Sequence, residues 1–183
     1  MFKSLVFLCL LLISLSSLGG EVITAKVEHK DKRYMMEVEV LISADVAEVK
    51  SLLTDYDNLT LLNDATRESY IIYSLDDASH RVFVLTEACV SFFCKKLTQV
   101  QDVEELPGNV IIATAVAGKS DVDYAHTRWK ISKADKRTRI NFNTELKPSF
   151  WVPPLIGPLL IERKLREEVL NTIEGLERLA GTH

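Results

Sequence analysis

The sequence predicts an α+β protein in which a curved antiparallel sheet wraps a long C-terminal helix. Three observations carry this expectation. RYMMEVEVLI (33–42) alternates apolar and polar residues with the period of a half-buried strand. Strand-like runs follow at about 67–74, 80–87, 95–104, 109–117, 122–132 and 138–146, joined by turns short enough for hairpins. Near the end, Leu165, Val169, Ile173 and Leu176 recur at helical spacing on a segment running to about Ala180.

The chain has 183 residues and opens MFKSLVFLCLLLISLSSLGGE. Lys3, the apolar run Leu5 to Leu15 and the small residues Ser16 to Gly20 follow the order of a secretory signal peptide. We expect a leader at 1–19, cleaved after Gly19 or Gly20, and a secreted or periplasmic mature protein. The alternative, a membrane anchor, is short of the ~20 apolar residues a span needs. Residues 20–183 then make one domain, large enough to bury ~70% of its unfolded surface. The net charge of −4, spread without long like-sign blocks, argues against a nucleic-acid partner.

Ile23, Ala25 and Val27 alternate ahead of the 33–42 strand, with HKDKR as the turn between them. Ser43 is a plausible N-cap for a short helix carrying Val46, Val49, Leu52 and Leu53 and ending near TDYDN. A further helical turn around Leu59 to Leu62 is possible, and Asn58-Leu59-Thr60 fits a glycosylation acceptor. The meander follows. Its turns LDDAS, ELPGN, AGKSD and KADKR lead to KPSFWVPPLIGPLL (147–160), where Pro148, Pro153, Pro154 and Pro158 exclude a regular strand or a helix interior. On the final helix, Glu162, Arg163, Lys164, Arg166, Glu167 and Glu168 are expected to cover the solvent side.

Successive loops of a meander lie at alternating ends of the sheet. With LDDAS at end A, ELPGN and KADKR share that end, while EACVSFFC, AGKSD and the proline segment share end B. The A turns are polar. End B gathers the apolar loops: Val90, Phe92 and Phe93 between Cys89 and Cys94, and Phe150 and Trp151 between prolines. Cys9 leaves with the leader, so Cys89 and Cys94 form a disulfide if the chain is exported, or stay as thiols in a reducing compartment. Ala113, Ala115 and Ala117 line one side of a strand, which allows close helix packing or one wall of a cavity.

This order of elements resembles the START-like, helix-grip superfamily, also called SRPBCC, and its polyketide cyclase/dehydrase and coenzyme-Q-binding branch. ISADVAEVKSLLTDYDNL (42–59) is similar to that branch's strand-to-helix entry. KPSFWVPPLIGPLLIERKLREEVLNTIEGLERLA (147–180) resembles its proline-aromatic turn into the gripping helix. The proline that often follows the Asp-Tyr-Asp run in such chains is replaced here by LTLLND. The resemblance implies a hydrophobic ligand cavity and no fixed reaction.

On that basis we expect an exported protein holding a lipid or isoprenoid-like molecule, with possible transient membrane contact, no cofactor and no metal. Phe93, Ala113, Ala115, Trp129, Phe142, Phe150, Trp151, Leu165 and Val169 are the candidate ligand contacts. A cyclase/dehydrase-type enzyme and an envelope protein-interaction module are the competing readings. Tyr124, His126 and Arg128 share one strand face, which could polarise a carbonyl or simply meet solvent, as Lys130 in the same row suggests. Asp55 and Asp57 could act as acid and base or shape a turn. No catalytic motif is present, and the oligomeric state is left open.

Overall fold

The computed structural model describes residues 20–90 and 93–181, apart from the side chains of Ala88, Val90 and Phe93. The leader expected at 1–19 lies outside the described residues, as does Phe92. Eight strands form one antiparallel sheet: β1 (Glu21–Lys30), β2 (Arg33–Ile42), β3 (Thr66–Asp76), β4 (Ser79–Val90), β5 (Phe93–Leu106), β6 (Val110–Ala115), β7 (Val122–Ala134) and β8 (Arg137–Pro148). Helix α1 (Val46–Leu53) and a 3-10 turn (Leu59–Leu61) separate β2 from β3, and the long helix α2 (Gly157–Ala180) follows β8.

The strand order is β1-β2-β8-β7-β6-β5-β4-β3. Hairpins run from β3 to β8, and β1–β2 adds beside β8 with Tyr34 opposite Leu146 and Val38 opposite Phe142. That register places the β1–β2 turn at end B, beside the exit of β8. Asp31 and Lys32 both lie in the left-handed region there (φ 51° and 64°), the backbone a two-residue hairpin needs to match strand twist.

Buried side chains alternate along β2 and β8, and α2 packs across the concave face of the sheet. Met36, Val40, Ile42, Ile140 and Leu176 are essentially fully buried in one cluster. Of the four apolar residues marking α2, Ile173 and Leu176 are buried, while Leu165 and Val169 are half-buried against the same core. The segment after α1 clamps the helix. Asn63 Nδ2 donates to the Glu168 carbonyl at 3.0 Å, and Arg178 Nη2 donates to the Leu61 carbonyl at 2.8 Å.

Four local expectations are corrected. Ser43 does not cap α1: Asp45 occupies the N-cap, and the Ser43 amide instead donates to Glu177 Oε1 on α2 at 2.9 Å. The irregular proline segment is shorter than 147–160. Pro148 closes β8, and Pro158 sits in the first turn of α2, where its missing N–H leaves no bond unmade. The β6–β7 connection is longer than a tight turn, because β6 stops at Ala115. Residues 116–121 fold back on β5 instead: Ser120 Oγ accepts from the Val100 amide, and Asp121 Oδ2 from the Thr98 amide at 2.7 Å. Finally, Lys164 and Glu168 do not belong to the solvent side of α2; their side chains are 18% and 20% exposed.

Candidate functional site

Two adjoining lobes of open space lie beneath the helices, against the inner face of the sheet. The larger, about 410 Å³, runs toward end B. Met36 of β2, Phe142, Thr144 and Leu146 of β8, and Leu165 and Val169 of α2 form much of its wall. The smaller, about 240 Å³, lies nearer α1 and is lined by Leu53, Tyr56, Leu62, Ala113, Trp129 and Phe142 among others. Thr127 and Phe142 belong to both.

The sheet register explains the shape. Across the middle of the sheet, Met36, Thr144, Thr127 and Ala113 follow one another on β2, β8, β7 and β6. Three of these four are small, so space remains under the helix. The two threonines satisfy each other, Oγ1 to Oγ1 at 2.7 Å, which makes their part of the wall behave as apolar surface. One register step toward end A, Val38, Phe142, Trp129 and Ile111 make a bulky row. Trp129 and Phe142 pack with ring centroids 4.4 Å apart and form the partition between the lobes.

Polar groups enter at few points. Tyr56 is buried, and its hydroxyl donates to Glu105 Oε1 at 3.3 Å, with Lys50 Nζ 3.0 Å from Glu105 Oε2. Burial first, and the Glu105 charge second, push the Tyr56 phenol far above its ordinary range, so it stays a neutral donor. In the larger lobe, Lys164 Nζ meets Glu167 Oε1 and Glu168 Oε1, each at 2.7 Å. Burial works against the lysine's charge; the hydrogen bond to Glu167 and the contact with Glu168 outweigh it and raise its pKa. At the rim, Lys95 Nζ sits 4.2 Å from the centre of the Phe150 ring, a cation–π contact.

The expected ligand contacts separate into groups. Phe142, Phe150, Leu165 and Val169 line the larger lobe, and Ala113 and Trp129 the smaller. Ala115 is half-buried at the end of β6 but lines neither lobe. Trp151 points outward, 78% exposed, with Leu155, Ile156 and Leu159 exposed beside it in sequence. The Phe93 side chain lies outside the described residues. Cys89 and Cys94 face each other across β4 and β5 and are joined by a disulfide. Lys95, Asp121, Lys164 and Glu168 line the larger lobe without having been expected there. The available signal is angular: 164 and 168 repeat at helical spacing one position from 165 and 169, at the edge of the same stripe.

The row Tyr124, His126, Arg128 lies on the convex face of the sheet. His126 Nδ1 is 3.1 Å from Thr114 Oγ1, and the Arg33 guanidinium covers the Tyr124 ring at 5.1 Å. Asp55 and Asp57 are turn-shaping residues, accepting from Asn58 Nδ2 at 2.9 Å and from the Ile71 amide at 2.9 Å. Among the described residues no cluster of histidine, cysteine or carboxylate side chains could hold a metal ion.

No protein-family model and no curated protein matches the sequence. Solved structures do match the fold. A STAR-related lipid transfer protein from Xanthomonas axonopodis superposes with a TM-score of 0.68 at 14% identity, over 90% of this chain and 99% of that one. The Zhui aromatase/cyclase from Streptomyces sp. R1128 gives 0.69 at 14% identity, over 81% and 94%. A START superfamily protein from Mycobacterium smegmatis gives 0.64 at 16% identity, over 79% and 98%. The fold is START-like. The START-like frame accounts for the helix laid across the concave sheet and for the space beneath it. At these identities the neighbours share the frame and say nothing of the chemistry inside it.

Proposed function

We propose that this chain is an exported START-like protein that binds a hydrophobic small molecule, lipid-like or isoprenoid-like, between α2 and the sheet. The observation that carries this reading is the larger lobe, whose 410 Å³ lies within the range of small-molecule sites. Each methylene moved from water into such a space contributes ~0.8 kcal/mol, so a chain of about ten carbons gains ~8 kcal/mol before the cost of association. Phe142, Leu165 and Val169 would touch the body of the ligand, and Ala113 and Trp129 would bound its inner end. Phe150, and by its place in β5 Phe93, would sit at the entrance.

Two features support export and a lipid-facing rim. The leader-like residues 1–19 and the Cys89–Cys94 bridge fit an oxidising compartment. Trp151, Leu155, Ile156 and Leu159 are 78%, 94%, 60% and 70% exposed, an apolar rim at end B suited to brief contact with a bilayer surface. Binding is favoured over a cyclase-type reaction because the His126 row faces away from the cavity.

Native mass spectrometry of protein isolated from its own host, followed by organic extraction, tests the reading. We expect a bound mass that the solvent releases. A protein that arrives empty and also fails to take up a neutral hydrophobic dye overturns it.

A further inference from the structure

The wall of the larger lobe contains a carboxylate with hydrogen-bonding capacity left over. Glu168 lines the lobe beside Leu165 and Val169. Its Oε1 lies 2.7 Å from Lys164 Nζ, yet both carboxylate oxygens are buried and neither receives an aligned hydrogen bond among the described residues. Buried polar atoms are almost always satisfied; Oε1 is ion-paired with Lys164, which leaves Oε2 as the open acceptor. The turn bearing it is fixed, since Asn63 Nδ2 bonds both the Glu168 carbonyl and Thr172 Oγ1, at 3.0 and 3.1 Å.

The other charged groups of the lobe are already engaged. Asp121 accepts the Thr98 amide, Lys164 donates to Glu167, and Lys95 lies over the Phe150 ring. Two lysines and two carboxylates therefore balance around the lobe, leaving no net field to select an ion. Glu168 Oε2 is the strongest open acceptor on a largely apolar wall.

We propose that the ligand is an uncharged amphiphile whose polar end carries a hydroxyl, alcoholic or phenolic, that donates to Glu168 Oε2 while its apolar body fills the lobe. This deepens the hydrophobic-ligand reading and rests on it. A charge-assisted O–H···O bond is among the stronger hydrogen bonds. A carboxylate head would be repelled by Glu167 and Glu168, and an ammonium head would duplicate Lys164.

The test compares two isomers of equal size, decanol and methyl nonyl ether, as competitors of the neutral dye phenylnaphthylamine on the full chain. We expect decanol to bind about ten-fold or more tightly, the usual range for a hydrogen bond to a charged partner. Glu168→Leu should bring the two isomers to equal affinity, with Lys164 still paired to Glu167. Equal affinities in the unaltered protein overturn the proposal without any variant. A preference that survives Glu168→Leu overturns it too, because the hydroxyl is then read elsewhere. In both cases dye and probes still bind, so the hydrophobic-cavity reading stands. If neither isomer displaces the dye, or the dye does not bind, both readings fall together.

Discussion

Gly175 packs so closely on Leu62 that a Cβ added to the glycine would lie 2.0 Å from the Leu62 carbonyl oxygen. The contact joins α2 to the segment after α1. Backbone cannot yield as a flexible side chain can, so helix propensity and packing pull in opposite directions. Alanine in place of glycine favours a helix by ~1 kcal/mol. Overpacking costs about 1–3 kcal/mol and is expected to win. Gly175→Ala should therefore lower the urea midpoint at unchanged m-value; a raised midpoint would show that the 3-10 segment moves aside freely.

Leu176, with 0% exposure, is the deepest α2 residue in the core. Leu176→Ala is expected to cost ~2–5 kcal/mol by denaturant titration. A loss under roughly 0.5 kcal/mol, the range of surface substitutions, would mean that the helix does not grip the sheet.

Trp151 is the opposite case. At 78% exposure its removal should change stability by less than about 0.5 kcal/mol. Flotation with lipid vesicles should nevertheless show weaker association for Trp151→Ala than for the unaltered chain. Loss of folding with vesicle binding preserved would contradict the assignment of the rim.

The Cys89–Cys94 bridge closes a small ring, for which the loop-closure model gives about 2 kcal/mol. Replacing both cysteines by serine should reduce stability by that amount. Mass spectrometry after alkylation without reduction should find neither thiol modified in protein recovered from an exported fraction. Two readily alkylated thiols in such protein would count against both bridge and compartment.

Asp102 receives two bonds from Arg81, Nε and Nη2 each at 2.7 Å. The Arg81 hydrogen bond outweighs partial burial, which acts the other way, and with the Arg81 charge holds the Asp102 carboxyl below its ordinary range. A depressed folded-state pKa stabilises above the unfolded value and loses that effect as pH falls through the folded value. Arg81→Met should therefore destabilise at neutral pH and become equal to the unaltered chain in strong acid. The effect should be small, because the Asp102 carboxylate is 46% exposed and screened by solvent. A difference that persists into strong acid would point to packing.

Period-two alternation made the strands and hairpins legible, because one buried face per strand leaves a simple mark in sequence. Four apolar residues placed α2 over the sheet for the same reason. The site was only half legible. Phe142 and Val169 are apolar and were expected to face inward, but Lys164 and Glu168 carry charge and read as a solvated face. Only the curvature of the sheet, wide enough to expose the flank of α2 to a cavity, brings them inside. Trp151 and Phe150 are adjacent in sequence and go to opposite environments: Phe150 lines the larger lobe under Lys95, while Trp151 is exposed. Ser43 was chosen as a cap from residue type alone, whereas its amide is taken by Glu177, 134 residues later.

The pairing of Tyr34 with Leu146 has a consequence for how the chain reaches its native state. The β1–β2 hairpin emerges early in synthesis but cannot find its neighbouring strand until β8 exists. Residues 66–148, by contrast, assemble through sequential local hairpins. Long-range strand pairing closes a large loop before it gains contacts, and it is slow on that account. Docking of β1–β2 onto β8, with α2 closing over the seam, is therefore the expected slow step of folding. Until that moment the Val38 and Val40 face of β2 is exposed, which makes the early hairpin the part of the nascent chain most in need of protection from aggregation.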